Sequence, residues 1–163
     1  MYDVVDFLGT IAEFSIGLAG FAGIVAALAK YRQPELALVR FRLANLLVSS
    51  FAPGFFALLT FGLVASAMEV GTALRVSSSA LAAGLFLWAV LVHTRRPAEL
   101  SRTLLFAMSV VTTVNLVIQL ASATGLTGVP AASYLVGLML LLLQGAVVFV
   151  VLVMDALQLQ ADG

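Results

Sequence analysis

The chain of 163 residues is 63% hydrophobic and only 10% charged, its formal net charge is zero, and it contains no cysteine. With a mean hydropathy of +1.16, its polar residues are too few to cover the surface of a soluble domain, so an integral membrane protein is expected. The absence of cysteine excludes disulfides, thiolate metal sites, cysteine nucleophiles and palmitoylation.

Apolar stretches of about 20 residues, the length that crosses a bilayer as a helix, occur five times, at 4–29, 43–68, 72–92, 103–123 and 131–154. Their length and continuity, and their richness in Leu and Ala, disagree with the dyad alternation of a transmembrane β-barrel. The expected fold class is therefore an all-α polytopic membrane bundle of five spans forming a single domain, 1–163. Asp3 and Asp6 stand where a signal peptide would carry positive charge, so the first helix is expected to be retained.

The first span holds Ser15, Ala19, Gly23 and Ala27 at four-residue spacing, with Gly17 and Gly20 on an adjoining face. Small residues let helix backbones approach closely, which makes the stripe a packing face or a contact between copies. Glu13 lies in the same span. A carboxylate in hydrocarbon costs several kcal/mol unless it is paired, protonated or hydrated. Counting about 1.5 Å per residue from the ends near Ala29, Val92 and Thr103 places Glu13, Arg75 and Gln119 in one layer, about 24 to 26 Å from the basic loops, with Thr60 near it. Two readings follow. The layer is an ion pair holding the first helix to the third, or it is the outer end of a hydrated path in which Glu13 binds an ion or proton tuned by Arg75.

The second span carries Asn45, Ser49, Phe56 and Thr60 at helical spacing, interrupted by Pro53 and Gly54. Proline lacks an N–H and crowds the carbonyl four residues back, so a kink is expected there, with Ser49, Ser50 or water serving the freed groups. The third span stacks Arg75, Ser78, Ser79, Ala82 and Ala83, and the fourth Thr112, Asn115, Gln119 and Ser122. The fifth contributes Gln144 beside Gly145, with Gly137 two turns away. A common centre facing these stripes keeps them from lipid, whether as a dry hydrogen-bonded core or as a pathway that includes Asn115 and Gln144.

Of the eight basic residues, seven fall in two loops: Lys30, Arg32, Arg40 and Arg42, then Arg95, Arg96 and Arg102. The positive-inside rule puts these loops in the cytoplasm, which predicts an outer N-terminus and an inner C-terminus. Arg40, Arg42, Arg95, Arg96 and Arg102 are candidates for anionic lipid head groups. Tyr2, Tyr31 and Tyr134 fall at span ends and Trp88 about one turn from one, as interfacial aromatics do.

No hydrolase, metalloprotease or nucleotide-binding motif is present, and the one histidine, His93, cannot build an ordinary metal site. No enzyme, cofactor, metal or nucleic-acid partner is expected. The expectation is a small channel or transporter subunit, ion- or proton-conducting, acting as a homo-oligomer in lipid of a bacterial-type inner membrane. The alternative is a non-catalytic scaffold or accessory subunit of a larger membrane complex.

Overall fold

The computed structural model describes residues 2–28, 36–95, 97 and 100–161. Among them are five helices and no strand: α1 (Tyr2–Leu28), α2 (Leu36–Ala65), α3 (Val70–Arg95), α4 (Arg102–Ala123) and α5 (Pro130–Ala161). Each is long and apolar enough to cross a membrane. α2 starts seven residues before the predicted position and runs unbroken through Pro53. Its 30 residues span about 45 Å, more than the thickness of a hydrocarbon core.

The two turns opposite the basic loops are built alike. After α2, Ala67 N–H bonds the Val64 carbonyl at 3.1 Å and Met68 N–H the Leu63 carbonyl at 3.3 Å, with Ala67 at φ 66°. After α4, Gly125 N–H bonds Ser122 and Leu126 N–H bonds Ala121, with Gly125 at φ 77°. Both are Schellman closures, which need a left-handed residue just past the helix. Glycine meets that need after α4. An alanine meets it after α2, at a steric cost of about 1 kcal/mol.

α5 packs against all four other helices, while α1, α2, α3 and α4 follow one another around it; among the described residues the backbone of α1 closely approaches neither α3 nor α4. The hydrophobic core follows that arrangement. Leu8, Ile11, Leu74, Leu81, Leu138 and Leu141 pack around Tyr134 in the half nearer the chain's start, and Ala22, Leu46, Met108, Val148 and Leu152 fill the half nearer the basic loops. Phe14, Phe21, Phe55, Phe86, Phe106 and Val117 are exposed on the outside. In water such a surface would aggregate, whereas against acyl chains it carries no penalty.

Candidate functional site

The polar stripes of α2, α4 and α5 do face a common centre. Asn45, Ser49, Thr60, Thr112, Asn115, Gln119, Ser122 and Gln144 are all buried. On α3 the buried stripe is displaced by one position from the expected one. Ser77 and Ser78 face inward, while Arg75, Ser79 and Ala83 face out. The preceding turn sets the helix's rotation, and side-chain spacing alone does not reveal it.

Nearer the chain's start, these groups bond to one another. Thr60 Oγ1 is 2.8 Å from both Ser77 Oγ and Tyr134 Oη, and Tyr134 donates to the Phe56 carbonyl at 2.7 Å. Each hydroxyl has one proton, so a consistent chain runs from Ser77 through Thr60 and Tyr134 to that carbonyl. Ser78 and Ser122 meet at 3.2 Å. Asn115 Nδ2 donates to the Gly137 carbonyl at 2.9 Å, and Gln119 Nε2 donates to the Ser133 carbonyl at 3.1 Å. This is interhelical glue, because the partners are the protein's own groups. Tyr134 is fully buried at its centre rather than lying in the interfacial belt expected of it.

Gly137 explains how α4 comes so close to α5. A Cβ there would overlap Gln119 Nε2 and lie 2.7 Å from Asn115 Oδ1. Gly54 plays the same part between α2 and α1, where a Cβ would stand 2.9 Å from Ser15 Cβ. Neither serine serves the carbonyl freed by Pro53. Ser49 Oγ instead donates to the Asn45 carbonyl at 2.7 Å, and Ser50 Oγ is buried with no partner.

In the expected layer of Glu13, Arg75 and Gln119, the last two stay within about 3 Å of one level, beside Thr60 as expected, and Glu13 leaves it. Gln119 lies with Ser133 and Tyr134, and through Tyr134 with Thr60 and Ser77. Arg75 is exposed two residues further toward the chain's start, its guanidinium placed so that a Cβ on Gly125 would be 3.3 Å from Nη2. A cation there sits at the C-terminal end of α4, where the helix dipole favours it. Glu13 is deeper. Its neighbours Ala12 and Ser15 meet Gly54, six residues and about 9 Å from Thr60 along α2. The loop-end count assumed that all helices start from one plane, but α1 is shifted along its axis. Glu13 and Arg75 therefore stand on helices whose backbones do not closely approach each other among the described residues.

Glu13 is the twelfth of the 27 residues of α1 and is exposed on its outer side. The small-residue stripe divides around it. Ser15 and Ala19 are buried inside the bundle, Gly23 is exposed, and the side chain of Ala27 lies outside the described residues. Gly9, Gly17, Gly20 and Gly23 have nothing within 4 Å of a built Cβ. By angle Gly9, Gly17 and Gly20 share the Glu13 face, so the open small-residue surface is this one.

Gln144 and Asn45 border a cavity between α3 and α4. At the basic end Arg40, Arg95 and Arg102 are exposed and Arg42 is half-buried, whereas Lys30, Arg32 and Arg96 lie outside the described residues. No group of three or more His, Asp or Glu among the described residues could hold a metal ion.

No protein-family model, curated protein or solved structure matches the chain. Its class rests on its own architecture, that of an all-helical membrane protein with five helices able to span the bilayer.

Proposed function

We propose that the protein is a non-catalytic subunit of a membrane channel or transporter, that it works as a homo-oligomer, and that Glu13 lies in the seam between copies as the ion- or proton-responsive group. The observation that carries this reading is the exposure of Glu13 at mid-helix, on a face lined by glycines with open space over them. A charged carboxylate at that depth costs about 3 kcal/mol against lipid. A neighbouring helix or a hydrated seam removes that cost, and Gly9, Gly17 and Gly20 allow the approach. The interior of one copy is a poor route for ions near the chain's start, because Thr60, Ser77, Tyr134, Asn115 and Gln119 bond among themselves and to backbone. That closed interior also supports the second reading, a scaffold or accessory subunit in which Glu13 meets a different membrane protein.

The basic loops argue for an outer N-terminus and an inner C-terminus in a bacterial-type inner membrane, with anionic lipids at Arg40, Arg42, Arg95, Arg96 and Arg102. The test is oligomeric mass in lipid nanodiscs, followed by liposome flux across a pH gradient, for the native chain and Glu13→Gln. A defined oligomer whose flux falls at least tenfold in Glu13→Gln supports the proposal. A monomer without flux overturns it and favours the accessory subunit.

A further inference from the structure

Near the basic end, α3 and α4 part around a cavity of about 410 Å³. That volume suits a small molecule. Its deep wall is polar and neutral. Gln144 and Thr112 are only 7% and 8% exposed, and neither side chain has a hydrogen-bond partner among the described residues. Both reach the cavity surface. Asn45 shares the wall, but its Oδ1 is already taken by Trp88 Nε1 at 3.1 Å, which leaves its amide N–H groups facing Met108 Sδ at 3.5 Å. Sulfur is a weak acceptor. The wall therefore offers unused N–H and O–H donors in a place where an unmade hydrogen bond is costly.

Phe86, Val90, Ser109 and Thr113 line it and are exposed on the lipid-facing flanks of α3 and α4, and the exposed His93 and Thr94 line it at the end of α3, so the cavity is accessible to a molecule dissolved in the membrane. An acyl chain would fill the space and leave the donors unmet. An anion would find no fixed positive charge, since His93 at the rim is the one ionisable group in the lining. Trp88 and Phe86 add flat aromatic surface.

We propose that this cavity is a binding site for a neutral, membrane-soluble carbonyl compound with a flat head, of which a quinone is the fitting class, and that Gln144 donates to its carbonyl with Thr112 and Asn45 beside it. The site is separate from the Glu13 face and does not depend on that reading.

The single tryptophan of the chain lines the cavity and supplies the signal, because quinones quench indole fluorescence on contact. Decylubiquinone is titrated into nanodiscs holding the full-length protein, with Gln144→Met and Thr112→Val as separate variants and dodecane as competitor. Gln144→Met keeps the side-chain length and Thr112→Val keeps the shape, so loss of folding in one leaves the other to decide. The expected result is saturable quenching of Trp88, weakened about tenfold in Gln144→Met and severalfold in Thr112→Val, and unaffected by dodecane. Quenching that rises linearly without saturation, that is the same in native protein and folded variants, or that dodecane abolishes, would overturn the proposal and leave a lipid-filled or water-filled groove.

Discussion

Replacing Gly137 by alanine adds one methyl group at the tightest point between α4 and α5. That methyl would overlap Gln119 Nε2 and crowd Asn115 Oδ1, and the backbone of α5 cannot retreat because Tyr134 and Leu138 beside it are fully buried. The Gln119 amide must swing away, giving up the Ser133 carbonyl, and Asn115 loses its 2.9 Å bond to the Gly137 carbonyl. Interhelical hydrogen bonds in membranes contribute about 0.6 kcal/mol each, and an overpacked methyl costs about 1 to 3 kcal/mol. Alanine's better helix propensity returns up to about 1 kcal/mol. The net expectation is a loss of about 1 to 4 kcal/mol. Gly62→Ala is the reference, since Gly62 is also helical but has nothing within 4 Å of a built Cβ. Reversible unfolding in mixed micelles, followed by circular dichroism, compares the two. Stabilities within about 0.5 kcal/mol of each other would refute the claim that glycine is required at 137, together with the hydrogen-bonding account of the α4–α5 interface.

Gly54→Ala should destabilise by about 1 to 3 kcal/mol. Because the clash is with Ser15 Cβ, Ser15→Gly should restore part of the loss where Ser15→Ala does not, as a double-mutant cycle would register. Ala67→Gly should stabilise by about 0.5 to 1 kcal/mol in the same unfolding assay, by relieving the left-handed strain at φ 66°. Tyr134→Phe keeps the ring but removes the hydroxyl between Thr60 and the Phe56 carbonyl, which leaves Thr60 Oγ1 to donate to that carbonyl directly, at 2.9 Å. A loss of about 1 kcal/mol is expected in the same unfolding assay.

Membrane residence, helical class and five spans were legible in the composition and in the lengths of the apolar runs, because lipid demands internally satisfied backbone over a set thickness. The inward stripes of α2 and α4 were legible too, since Asn45, Ser49 and Thr60, and Thr112, Asn115, Gln119 and Ser122, recur at a helical period that only an interior can satisfy. Helix rotation and axial shift were not legible. Whether Ser77 or Arg75 faces the core depends on the turn at Ser66–Glu69, and the depth of Glu13 depends on where Gly54 lets α1 slide against α2. Tyr134 near a span end reads as an interfacial ring until Thr60 and Phe56 of another helix are brought to it. Sequence thus determined which segments lie in the membrane, through the local balance of hydropathy and length. Only the tertiary structure decided which polar groups meet, because those pairings are set by close approaches at Gly54 and Gly137 between residues far apart along the chain.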